Sequence, residues 1–112
     1  KLAARAGTDL PPLADLLKLD DFGFRQFFAG TPVRRSGYKR FLRNVLIAAG
    51  NSGDVNLMTL ITPFLDHSSA LLRAMAIWAL RQLADDDIWQ GLRDAYLPDE
   101  SDQSVLREWQ DN

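Results

Sequence analysis

The pattern of apolar and polar positions along the chain is helical throughout. Apolar residues recur at spacings of three and four, whereas strict alternation never persists over the length of a strand. The segment 70–84 is apolar around most of its circumference, which is typical of a helix buried on most sides. We therefore expect an all-α fold of about six to seven helices, with this segment at its centre.

Capping residues, prolines and glycines set the expected helix boundaries. Thr8-Asp9, ahead of two prolines, indicates the first helix start, and Gly30 before Thr31-Pro32 indicates the end of the second helix. Pro63 predicts a kinked last turn in the fourth helix. The helices predicted in this way lie at about 12–19, 21–29, 36–50, 55–65, 70–84, 86–97 and beyond 101.

The helix expected at 36–50 has two chemically different faces. Projection at 100° per residue gathers its apolar side chains on one face. The opposite face carries basic and amide groups, from Lys39 to Asn44, with Asn51 following in the next turn. Small residues at 48–50 indicate that a neighbouring helix approaches closely there.

Charge is distributed unevenly along the chain. The 32 residues from Phe22 to Gly53 contain six of the 13 basic residues and none of the 15 acidic ones. The other 80 residues are therefore strongly acidic, although the formal net charge of the whole chain is only −2. An asymmetry of this kind is an argument about binding partners rather than about fold.

We interpret the basic segment as a docking surface for a polyanion, with a solvated face that binds nothing as the competing interpretation. The absence of acidic residues nearby favours a ligand, and the amides of Ser36-Gly37 lie where they could meet a phosphate. The residues predicted to contact nucleic acid are Arg34, Arg35, Lys39, Arg40, Arg43, Asn44 and Asn51.

The residue types of this chain give little evidence for a catalytic or metal site. The chain has no cysteine, which excludes thiolate nucleophiles and cysteine-ligated clusters from it and fits a cytoplasmic protein. The single histidine, His67, stands in a turn and is interpreted as a solvated or capping group. The run Asp85–Asp87 is typical of a helix N-terminus. From these residues we expect no catalytic, cofactor or metal site. No apolar run approaches the roughly 18 residues that span a bilayer, so we expect no membrane segment either.

A repeat organises the chain. Leu42-Arg43, Leu72-Arg73 and Leu106-Arg107 follow one another at offsets of 30 and 34 residues. Each pair is followed or preceded by an Asp-containing turn, which resembles the HEAT-type α-helical repeat, where helix pairs stack into a superhelix. The resemblance implies that Arg73 bonds the preceding turn, with Asp66 as the expected partner.

A more specific resemblance rests on three phrases in a fixed order: FRQFF-x-GTPVRR, FLRNVLIAAGNSGD and LLRAMAIWAL. They resemble the C-terminal helical-repeat domain of bacterial epoxyqueuosine reductases over roughly residues 13–83. The resemblance implies that residues 1–112 form a single HEAT-like domain, the non-catalytic C-terminal fragment of a larger oxidoreductase of queuosine biosynthesis. It also implies that cobalamin and two 4Fe-4S clusters belong to upstream regions of the parent enzyme.

The basic face and the resemblance together predict a tRNA-docking domain. It contacts the anticodon stem-loop region and works beside the upstream catalytic domains of the same chain. The alternative is a HEAT-like protein-interaction module that binds an acidic partner, or its own catalytic domains, through the same face. In that case Trp78 would be the interface residue.

Overall fold

The structure, a computed structural model, describes residues 12–111, and the surroundings of side chains from 12 to 110. Within this range all regular secondary structure is helical, so the all-α prediction is confirmed. No helix of the described range combines the length and the apolarity needed to cross a membrane. Its α-helices are α1 (Leu13–Leu17), α2 (Asp21–Phe27), α3 (Pro32–Ser36), α4 (Tyr38–Asn51), α5 (Met58–Ile61), α6 (Ala70–Leu83), α7 (Asp86–Tyr96) and α8 (Gln103–Asp111).

Side-chain caps fix several of these boundaries where the sequence predicts them. Asp20 accepts a hydrogen bond of 2.7 Å from the backbone N–H of Gly23 at the start of α2. Ser69 caps α6 and Asp85 caps α7 in the same way. The predicted cap at Thr8-Asp9 lies outside the described residues. Local capping chemistry therefore sets the starts of α2, α6 and α7.

Two parts of the chain differ from the prediction. Thr31 caps a further short helix, α3, because Pro32 suits a first helical turn, and Gly37 (φ 94°) then separates α3 from α4. The segment predicted as one helix at 55–65 consists of α5 between two 3-10 segments, Val55–Leu57 and Thr62–Asp66. Pro63 lies at the start of the second segment, where a kinked turn is expected.

The central position of α6 is confirmed. It packs against α4, α8 and the segment Thr62–Asp66, and one hydrophobic cluster runs through the described helices. Its contact with α4 is very close at Gly50, where an added Cβ would lie 2.6 Å from Cζ3 of Trp78 and 3.0 Å from Cα of Ala79. Trp78 thus packs between two helices of the core.

Arg73 bonds the preceding turn, as the repeat implies, but its partners are different. Nη1 donates to the carbonyls of His67 (2.9 Å) and Ser68 (3.2 Å). Nε and Nη2 donate to the two carboxylate oxygens of Glu100, each at 2.9 Å. The expected partner Asp66 is exposed and forms no ion pair with Arg73. The arginine therefore ties α6 both to its own entry turn and to the segment before α8.

Candidate nucleic-acid interface

All seven side chains predicted to contact nucleic acid are exposed. Helix α3 carries Arg34 and Arg35 in its last turn, and α4 carries the other five. Four of the α4 residues lie within two turns of its start, while Asn51 is the last residue of the helix, roughly 10 Å beyond Asn44 along the axis.

Four of the seven line one open depression with a volume of about 580 Å³. We call it the basic depression. Its walls are formed by Ser36, Lys39, Arg40, Arg43, Asn44 and Leu71. Arg34, Arg35 and Asn51 do not line it. Leu71, in the first turn of α6, closes the side opposite α4 and is 45% exposed. The sequence pattern did not indicate that Leu71 belongs to this site, because its position there depends on how α6 packs against α4.

The burial pattern of α4 explains why its cations face solvent. Six residues at helical spacing are buried: Phe41, Leu42, Val45, Leu46, Ala49 and Gly50. Since this face packs mainly against α6, the positions between them must point away. Tyr38 fixes the start of α4 by donating a hydrogen bond to the carbonyl of Leu19. Burial, with the charges of Asp20 and Asp21, raises the pKa of Tyr38 to about 12.

No carboxylate neutralises the basic depression in the described part of the chain. Its three cations form no ion pair or side-chain hydrogen bond there. The ion pairs of this range join other cations to acids: Arg25 to Asp21, Arg73 to Glu100 and Arg81 to Asp86. In the C-terminal half, Glu100 and Asp86 pair with arginines of that same half, and the charges of α4 remain available to a ligand.

The backbone amide of Gly37 is not available for the phosphate contact expected at Ser36-Gly37. The N–H of Gly37 donates to the carbonyl of Arg34 at 3.3 Å, so it is already used in ending α3. Ser36 does line the basic depression. Its contribution to a ligand would therefore come from this wall rather than from the amide that follows it.

His67 lies closer to the basic surface than its sequence position suggested. Its Nδ1 accepts a hydrogen bond of 2.9 Å from the N–H of Ser69, in agreement with a capping role. Burial and the positive charges of Lys39 and Arg73 lower the pKa of His67 below its ordinary value. A neutral ring is therefore favoured beside the cations of α4.

The residues of this chain do not fit the iron–sulfur clusters that the resemblance implies for the parent enzyme. The chain contains no cysteine. In residues 12–111, no three side chains of the metal-binding types come together. We therefore derive no cofactor chemistry from this segment.

Comparison with known proteins finds curated relatives. The chain is 35% identical to an epoxyqueuosine reductase of Xanthomonas campestris over 80 residues, which are 70% of this chain and 22% of that protein. It is 34% identical over 87 residues to an epoxyqueuosine reductase of Alicycliphilus denitrificans, covering 70% of this chain and 24% of the relative. The corresponding protein of Pseudomonas aeruginosa is 32% identical over 79 residues, covering 70% and 22%.

No protein-family model matches the chain, and no solved structure matches it significantly. The chain spans less than a quarter of the length of the curated relatives it matches. Over the 70% of its own length that the matches cover, the chain is related to the epoxyqueuosine reductases of these bacteria.

Proposed function

We propose that this chain is the tRNA-docking domain of an epoxyqueuosine reductase-like enzyme and that it contacts the anticodon stem-loop region. The observation that carries the proposal is the basic depression on α4, whose cations are exposed and form no ion pair in the described structure. A phosphate backbone is the ligand that such a surface fits, because each phosphate replaces its counterions with a fixed cation.

Docking of this kind works by positioning. Arg and Lys contacts to phosphates fix the register and orientation of the RNA but do not themselves distinguish sequences. Folded RNA is recognised largely through its shape and backbone, which a rigid helix can match along its length. Arg34 and Arg35 extend the cationic surface from α3, and Asn51 adds an exposed, uncharged amide at the far end of α4.

The redox chemistry of the proposed parent enzyme belongs to other domains. Cobalamin and two 4Fe-4S clusters would be held upstream, and this HEAT-like segment would take no part in electron transfer. Linking a weak docking site to a catalytic domain raises the effective concentration of the RNA at the active site. The proposed partners are thus a tRNA and the catalytic domains of the same cytoplasmic enzyme.

Charge reversal on α3 and α4 tests the proposal. Fluorescence anisotropy with a labelled anticodon stem-loop should give a log–log salt slope of about −3 to −4.5 if four or five phosphates are contacted. The triple variant Arg35→Glu, Lys39→Glu, Arg40→Glu should bind about 100-fold more weakly at 0.1 M salt, since each lost contact removes about 0.7–0.9 from the slope.

Unchanged affinity and slope in the triple variant would end the proposal and favour an acidic protein surface as the partner of this face. The structure offers no separate support for Trp78 as the residue that contacts such a protein. Its ring packs against Gly50, in the contact between α4 and α6.

A further inference from the structure

A second depression, which we call the apolar groove, lies beside the basic depression and shares a wall with it. Ser36, Arg40 and Asn44 line both. The other side of the groove is built by apolar residues of α1, α3, α4 and the end of α2: Leu13, Phe28, Val33, Phe41, Val45 and Ala48. Its volume is about 370 Å³. That lies within the range of about 300–1,000 Å³ found for small-molecule pockets.

The shared wall follows from helix geometry. Residues 40 and 44 are four apart on α4, so they form a ridge along its surface. Lys39 and Arg43 lie on the basic side of this ridge, whereas positions 41, 45 and 48 lie on the apolar side. A ligand that crosses the ridge therefore meets cations on one side and hydrocarbon on the other.

The groove is open at the surface and has a cationic edge. Val33 is 39% exposed and Ala48 is exposed, although both face apolar neighbours. Among the described residues that line either depression, none is acidic. An occupant should therefore combine an apolar part with an adjacent negative charge, and a nucleotide, with its base and its phosphate, has both.

We propose that the apolar groove takes an unstacked nucleobase of the same RNA whose phosphates lie in the basic depression. The inference rests on the proposed function and makes it more specific: the ligand is an RNA loop rather than an uninterrupted duplex. Bases become available for insertion into side-chain pockets only where they are unstacked. Asn44, on the ridge, offers both a donor and an acceptor to the edge of the base.

Two RNA probes with the same number of phosphates test this inference. One is a labelled stem-loop, and the other is a blunt duplex without unpaired bases. Wild-type protein should bind the stem-loop about tenfold more tightly, since stacking against protein side chains contributes measurably for each base. A 2-aminopurine placed in the loop should also change its fluorescence on binding.

Filling the groove should remove this preference without changing the phosphate contacts. Ala48→Phe projects a ring into the groove from an exposed position, so the two probes should then bind equally while the salt slope is unchanged. Val33→Ser makes the part of the groove that α3 contributes polar, and it should also reduce the preference for the stem-loop. Ala95→Phe makes the same substitution at an exposed position of α7, away from both depressions, and should retain the preference.

The outcomes separate the two proposals. Equal binding of both probes by the wild type, or a loop preference that survives both groove variants, overturns the nucleobase site and leaves the groove to an apolar protein segment. In either case, a salt slope that becomes shallower in the triple charge-reversal variant would still support tRNA docking. Binding of neither probe overturns both proposals.

Discussion

At the scale of single residues, Gly50 shows how strongly one position can constrain the site. Helices α4 and α6 approach so closely there that an added Cβ would lie 3.0 Å from Cα of Ala79, a backbone atom that cannot turn aside. The orientation of α4, and with it the direction in which Lys39 and Arg43 point, depends on this contact.

Gly50→Ala should therefore lower the free energy of unfolding by about 1–2 kcal/mol. The clash outweighs the gain of about 1 kcal/mol in helix propensity, because forcing extra atoms into a packed contact costs about 1–3 kcal/mol or more. Gly91→Ala on α7 is the matched control, since a Cβ there meets nothing within 4 Å. It should raise the free energy of unfolding by about 0.5–1 kcal/mol. Urea titration of both variants measures the difference, and a stabilised Gly50→Ala would contradict the close packing.

At the scale of elements, the Arg73–Glu100 pair joins α6 to the segment before α8. The side chains are only 19% and 10% exposed, and the guanidinium also bonds two carbonyls of the turn that precedes α6. Glu100 in turn accepts from the N–H of Asp102 at 3.0 Å. Arg73 and Glu100 are 27 residues apart, and together they link the connection before α6 to the connection before α8.

Arg73→Met should reduce the free energy of unfolding by about 2 kcal/mol, because it leaves a mostly buried carboxylate without its cation. The hydrogen bond from Arg73 holds the pKa of Glu100 below its ordinary value of 4.5. The stabilisation from this pair is therefore fully present above pH 4.5 and is lost as the pH falls through the lower pKa of the folded state.

Glu100→Gln provides the control, because it keeps the shape of the side chain but cannot titrate. It should be less stable than the wild type at pH 7, and the difference should shrink towards pH 3. Urea unfolding at both pH values measures this, and a difference that stays constant with pH would contradict the role given to the pair.

At the scale of the whole molecule, the distribution of charge matters more than its sum. The chain is acidic overall, yet α3 and α4 present cations that no described carboxylate pairs with. Within about 10 Å, the Debye length at 0.1 M salt, a ligand responds to these local charges rather than to the net charge.

Two substitutions with the same change in net charge should therefore differ in effect. Lys39→Glu should weaken binding of the stem-loop by about five- to tenfold at 0.1 M salt and make the salt slope shallower by nearly one unit. Arg107→Glu, at an exposed position of α8, should change the affinity less than twofold. Equal losses in anisotropy titrations would show that net charge, and not the basic depression, governs binding.

The sequence by itself determined most of the helices and the chemical character of their faces. Caps such as Asp20 and Asp85 act within three residues, and helical periodicity separates the cations of α4 from its buried side. These are local interactions, so a pattern of neighbouring residues is sufficient to predict them. The short helix α3 was not predicted, because Thr31-Pro32 was interpreted only as part of the end of the second helix. Thr31 in fact also caps α3.

Only the tertiary structure decided which residues meet across helices. Leu71 closes the basic depression from α6, Arg73 pairs with Glu100 instead of nearby Asp66, and Val33 faces the groove beside α4. Each of these contacts depends on the angle and separation of packed helices, which the complementary volumes of side chains such as Gly50 and Trp78 set. A periodic pattern records which face of a helix is buried, whereas the partner of that face is fixed only when the helices pack.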